Sequence, residues 1–258
     1  MIKFKSDTHQ YFTKDNKELI SVSAFTKKFE PKTDWKPIAA RYGKKHGMTT
    51  DEVLKLWDDK RIKGSQAGTM LHDMREAKLL ENEIFEFGKE KLKHKSCPVS
   101  EGVKWSIPTS EVENGFVYPE LIIYDIEHML CGQSDKVIVA NNTINVYDYK
   151  TDKEISFKGY SNSFKSAEKM LPPVKHLDNV NGNHYSLKMS LYMYMLCKAN
   201  MGRFKPGKII LEWCPLERDE EGFPILFEGK PKVMFEKQIE LPYRKKEVID
   251  MLKTIKTS

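Results

Sequence analysis

The chain predicts an α/β fold, a mixed β-sheet flanked by helices and preceded by a helical N-terminal region. Three observations carry this. Strand-like runs at 103–107, 115–126, 129–140 and 143–151 follow one another through short turns. A strong helix at 184–199, rich in Leu, Met and Tyr, is followed by strands at 208–214 and 232–240. Helical signals dominate residues 21–80, before the strands begin.

Residues 1–20 read as a hairpin turning near Asp15-Asn16, and Ser21-Val-Ser23 caps a short helix through Phe29. Pro31 to Pro37 reads as a loop, and helix follows to Gly47. Thr49-Thr-Asp-Glu52 has capping-box spacing and opens a helix around Leu54 and Trp57. A separate helix is expected at 65–80, with Glu76 one turn after His72. Residues 84–102 are charged and show no clear period. Residues 152–182 read as a loop with one short helix, punctuated by Gly159, Asn162, Pro172-Pro173 and Asn181-Gly182. A basic helix at 242–256 closes the chain. The expected division is an N-terminal hairpin and helical region over 1–64, packed on a core over 65–258.

The 258 residues suffice for one large domain, and 40% hydrophobic with 31% charged residues is ordinary for a globular protein. A net charge of +6 suits a polyanionic partner without demonstrating one. Met1-Ile-Lys-Phe-Lys opens into a strand-like pattern rather than a leader, and no apolar run reaches spanning length. A cytoplasmic location without membrane attachment is therefore expected. Cys97, Cys131, Cys197 and Cys214 are scattered, with no Cys-x-x-Cys pair for zinc or an iron–sulfur cluster.

Chemistry concentrates around one hairpin. Asn tolerates positive φ, so Asn141-Asn142 is a two-residue turn that sets Ala140 opposite Thr143. Counting outward, Asp135 then opposes Asp148, with Val137, Val139, Ile144 and Val146 on the same face. Lys150 lies on that face too. Opposed carboxylates repel, and a divalent cation held by both is the natural compensation. The plain alternative is a solvated carboxylate pair. A turn at Glu127-His128 would bring Glu120 opposite Asp135 and put three carboxylates in a row, against the alternative of a surface glutamate. His72 sits on a helix with an apolar side and, taken alone, reads as a core or surface histidine rather than a ligand. Lys188 and Tyr192 share one helix face, where a snorkelling lysine on a core helix is the ordinary explanation.

Five short motifs in this order resemble the PD-(D/E)XK nuclease superfamily, specifically its RecB-like and phage exonuclease branch. They are Gly68-Thr-Met-Leu-His72, Glu120, Gly132-Gln-Ser-Asp135, Asp148-Tyr149-Lys150 and Lys188-Met-Ser-Leu-Tyr192. His9-Gln-Tyr11 and Ser21-Val-Ser-Ala-Phe25 resemble the opening of phage members. The resemblance covers most of residues 1–215. It implies a restriction-endonuclease-like core. It also implies Mg²⁺ or Mn²⁺ held by Asp135, Asp148 and the Tyr149 carbonyl, with His72 and Glu120 completing the shell and Lys150 assisting. DNA is the implied partner, together with recombination or replication proteins. Lys188, Tyr192, Lys158 and Lys165 are the residues expected to meet DNA. Two departures stand out: Lys188 replaces the family glutamine, and the iron–sulfur cysteines are missing. The implied activity is a DNA exonuclease on single-stranded or end-containing DNA. A structure-specific endonuclease and a non-cutting nucleic-acid-binding module are the alternatives.

Overall fold

A computed structural model describes residues 1–5, 8–162 and 166–255. The chain begins as a three-stranded meander: β1 (Ile2–Lys5), β2 (Gln10–Thr13) and β3 (Glu18–Ser21). The Ser21 hydroxyl caps α1 (Val22–Lys27) by accepting from the Ala24 N–H at 3.0 Å. α2 (Trp35–His46) starts two residues ahead of Pro37. Proline is tolerated in a first helical turn, where its missing N–H has no partner to lose, so the expected loop is shorter than its prolines suggest. Gly47 ends α2 in the left-handed conformation, with φ of 69°.

α3 (Thr50–Glu81) opens on the expected capping box, with the Thr49 and Glu52 side chains each bonding the other's backbone. It then runs unbroken for 32 residues. The sequence suggests two helices here, the second starting at Ser65 just after Gly64, and a glycine weakens a helix by about 1 kcal/mol relative to alanine. Burial of Val53, Ala67 and Leu71 along the length of the helix offsets this. The expected boundary at 64/65 therefore falls inside a continuous helix.

The charged stretch after α3 forms a hairpin of β4 (Ile84–Phe87) and β5 (Glu90–His94), followed by short β6 (Val99–Ser100) and β7 (Val103–Trp105). Next come the three long strands β8 (Phe116–Asp125), β9 (Leu130–Ala140) and β10 (Thr143–Lys150). The 151–180 connection holds no helix among its described residues, so the short helix expected there is not formed. α4 (Asn181–Ala199), β11 (Lys205–Trp213), the small pair β12 (Leu226–Phe227) and β13 (Lys230–Pro231), β14 (Lys237–Leu241) and α5 (Lys245–Leu252) complete the chain.

One 12-stranded mixed sheet gathers all but β12 and β13. β10 pairs antiparallel with β9 and parallel with β11, which carries β14 at its far edge. β8 covers the other edge of β9 from Leu130 to Val139. On the β10 side, β9 is shared: β3 pairs with Leu130 and Cys131, and β10 with Lys136 to Ala140. Gly132 to Asp135 therefore lie in the split between two neighbouring strands. One sheet face packs on α1, α4 and α5 through Val137, Val139, Ile144, Val146, Leu187, Met189 and Val248, all with 0% exposure. The other face is smaller: Ile138, Tyr147 and Ile210 pack under the β4–β5 hairpin and Leu79 of α3.

Candidate metal and active site

Both hairpin registers are as the turn chemistry dictates. Asn141 and Asn142 adopt φ of 51° and 56°, and Ala140 faces Thr143. Met129 N–H bonds the Ile126 carbonyl at 3.2 Å around Glu127-His128, and Asp125 faces Leu130. By register Glu120 falls opposite Asp135, and Asp148 follows the last β9–β10 pair, Lys136–Tyr147.

The regular ladders stop at these acids. β8 pairs with β9 up to Pro119–Lys136 and resumes at Leu121–Ser134, leaving Glu120 in the left-handed region at φ 45°. A non-glycine residue held there costs of order 1 kcal/mol or more, and such strain concentrates at functional positions. The β9–β10 pairing ends at Lys136–Tyr147, and beyond it the Asp135 carboxylate accepts the Tyr149 N–H at 2.6 Å.

α3 crosses this point. Its buried Ala67 and Leu71 anchor the helix, and their neighbours Gly68 and His72 face the strand ends. His72 Nδ1 lies 3.4 Å from Asp135 Oδ2, and the His72 ring stands edge-on to Tyr149 with centroids 5.6 Å apart. His72, Glu120 and Asp135 bring one ligand atom each within 4.8 Å of one another. An imidazole nitrogen and two carboxylate oxygens suit Mn²⁺ or Mg²⁺, the imidazole favouring Mn²⁺ of the two. The electrostatics agree with a cation site. Burial, and then the charge of Asp135, push the Glu120 carboxyl up to about 8. Burial alone would lower His72, but the Asp135 carboxylate outweighs it and raises the imidazole above its ordinary value.

Asp148 departs from its expected part in the pair. It does not share a three-ligand cluster with Asp135 among the described residues. It is buried, at 1% exposure, and its two oxygens meet two ammonium groups. Lys150 Nζ is in close contact with Oδ2, and Lys188 Nζ lies 3.0 Å from Oδ1. A carboxylate buried this deeply requires cationic partners, and like charge keeps it from Asp135. Burial would raise its pKa, but the two lysines hold it well below the usual carboxylate range. Lys150 also donates to the Tyr149 carbonyl at 2.9 Å, so that expected metal ligand is engaged by the lysine.

The residues expected to meet DNA divide. Lys188 is committed to Asp148. Tyr192 is 2% exposed and cannot reach a surface ligand; instead it lies on Gly132, where a Cβ would come within 2.7 Å of its ring and hydroxyl. That contact is the physical reason for glycine at 132. Lys158 is exposed on the 151–180 connection, which is tied down beside it by the Gly159 N–H bond to Asp178 at 2.8 Å, and it does not line the cleft. Lys165 lies outside the described residues. Arg244 of the basic C-terminal segment is structural, donating to Ser186 and Asn183 at 3.1 Å.

His72, Glu120 and Lys150 line a cleft of about 920 Å³ between α3 and the sheet. Lys60, Arg61, Lys104 and Arg218 line it too, and motif reasoning passed over them because isolated basic residues carry no pattern. Tyr185 was also missed. It sits one turn before Lys188 on α4, bonds Asp152 at 2.8 Å, and lies under Lys150 with 5.1 Å from Nζ to the ring centroid. The pairing of Tyr185 and Lys188 on one helix face was the available signal. Gly64 and Gly68 also line the cleft. A Cβ at Gly64 would meet nothing within 4 Å, and one at Gly68 only Thr151 at 3.5 Å. Packing requires neither glycine; both leave helix backbone open to the cleft.

No family model matches the chain, and no curated protein matches it. Among solved structures, one described as "Crystal structure of SSO0001" aligns at 13% identity and a TM-score of 0.30, over 91% of this chain and 73% of that one. A likeness at that score carries no argument about fold or activity.

Proposed function

We propose that the protein is a metal-dependent deoxyribonuclease with a PD-(D/E)XK core of the RecB-like branch, cutting DNA from an end. The observation that carries this reading is the His72–Glu120–Asp135 cluster beside the Asp148–Lys150 pair, at the wall of a cleft with basic side chains. The imidazole and the two carboxylates would hold Mg²⁺ or Mn²⁺. When bound, that ion lowers the pKa of a water and offsets charge on the phosphate. The chain's own residues do the rest. Asp135 fixes the end of β10 through the Tyr149 N–H and orients His72. Asp148, held between two ammonium groups, aims Lys150 at the cleft, where it meets a phosphate oxygen and helps orient the attacking water. Lys60, Arg61, Lys104 and Arg218 offer phosphates cationic contacts along a lining that also holds Asp73, Glu76 and Asp152.

Incubation with Mg²⁺ and linear, circular, 5′-blocked and 3′-blocked DNA tests the reading. Linear strands should be degraded and circles resist; cut circles would select the endonuclease alternative. Asp148→Ala should abolish degradation while DNA binding stays measurable, and cutting that persists would remove Asp148 from the site. Lys150→Ala should lose most turnover, and a near-normal kcat would make it a structural lysine. One observation favours a non-cutting nucleic-acid-binding module, namely Lys188 occupying an Asp148 oxygen. Binding without degradation in either Mg²⁺ or Mn²⁺ would select that alternative.

A further inference from the structure

The α2–α3 pair carries a feature that the metal cluster does not use. Four rings form one row: Trp35 to Trp57 at 6.0 Å between centroids, Trp57 to Tyr42 at 5.6 Å, and Tyr42 to His46 at 4.1 Å. Trp57 is half-buried, and the other three rings are exposed. Trp35 is 57% exposed and Tyr42 36% exposed, and α2 buries only Ala39 and Gly43. Exposed aromatic groups of this size mark contact surfaces.

The charge of α2 points to the partner, while α3 beside Trp57 is mixed, with Asp58 paired to Arg61 at 2.7 Å. α2 carries Lys36, Arg41, Lys44 and Lys45 and no acidic residue within its span. α3 links the row to the cleft. From Trp57, the positions Arg61, Gly64, Gly68 and His72 follow at three- and four-residue spacing, which forms one stripe of the helix. Every one of them after Trp57 lines the cleft. Fifteen residues at about 1.5 Å each put Trp57 about 22 Å from His72 along the axis. That is about six to seven nucleotides at the per-strand rise of about 3.4 Å in duplex DNA.

We propose that Trp35, Trp57, Tyr42 and His46 form a stacking platform for the bases of an unpaired nucleic-acid strand, whose backbone then follows α3 into the cleft. A duplex offers a free base face only at its ends, whereas every unpaired base has one. Lysines beside the rings meet the phosphates. The strand's direction into the cleft rests on the nuclease reading; the stacking does not.

The test compares a twelve-residue oligo(dT) with a sugar-phosphate strand of the same length lacking bases, in EDTA so that nothing is cut. Trp35→Ala and Tyr42→Ala should each weaken oligo(dT) binding about tenfold or more, and leave the abasic strand unchanged. Trp35→Phe and Tyr42→Phe should restore binding, which separates stacking from a folding defect. Equal affinity of wild type for both strands, or equal losses on both, would overturn the platform, and a row that serves another protein would give that result. Cleavage of linear DNA by wild type in Mg²⁺ is read separately. If ring-dependent binding is found and cleavage is not, the platform stands and the nuclease reading falls.

Discussion

Glu120 sets the pH behaviour of the candidate site. Its carboxyl is held near 8 in the fold by burial and by Asp135, against an ordinary value of 4.5. A raised carboxyl disfavours the ionised form, so its cost to the fold grows as pH rises from about 4.5 and levels off above about 8. Glu120→Gln should therefore stabilise the metal-free protein by about 1–3 kcal/mol at pH 8.5. The gain should fade toward pH 4, measured as the difference in Tm across that range. Millimolar Mn²⁺ should reverse the order, because only the carboxylate is a ligand. Indistinguishable Tm values at pH 8.5 would mean that Glu120 is not confined with Asp135. The opposition of Glu120 and Asp135 was legible in the sequence because turn chemistry fixes register, and register fixes opposition. The pairing of Asp148 was not. Alternation along a strand gives the face of a side chain but not which of several neighbours it takes, and Lys188 arrives from a helix distant in sequence.

At the scale of elements, α4 seats against the split in β9 where Tyr192 meets Gly132. Gly132 leaves the space that Tyr192 fills, and an added Cβ would sit 2.7 Å from the ring. Gly132→Ala should cost about 1–3 kcal/mol, the usual range for overpacking a filled core. It should also depress metal affinity, since Tyr192 sits one turn from Lys188 and Asp135 lies three positions after Gly132 on β9. Denaturant unfolding checks the first effect and Mn²⁺ titration the second; a neutral Gly132→Ala would show that Tyr192 yields without consequence. The Gly-x-x-Asp spacing was visible in the sequence, but its reason was not, because the ring that requires the glycine is 60 residues away. The single long α3 was obscured by Gly64 and Gly68, whose low helix propensity suggests a break that tertiary packing overrides. The hairpin of β4 and β5 was hidden because β4 is only four residues long and β5 holds a single apolar residue, Leu92, among charged ones.

For the whole molecule, the α/β architecture with a mixed sheet and flanking helices follows from the pattern of runs and turns. The placement of the N-terminal meander does not. β3 joins the central sheet in parallel through only Ile20 and Ser21, too short a run to be read as a partner for β9. Yet that junction opens the split where Asp135 sits, so residues 1–21 help form the site as well as leading into it. No described helix is long and apolar enough to cross a membrane. The whole account turns on a cation gathering a histidine and two acids that the chain brings together from a long helix and two neighbouring strands. Calorimetric titration with Mn²⁺ at pH 8 tests this most directly, with wild type beside Asp135→Ala and His72→Ala. The expected result is saturable binding in wild type, lost in Asp135→Ala and weakened at least tenfold in His72→Ala. Absence of binding at millimolar Mn²⁺, or equal affinity in all three proteins, would contradict it.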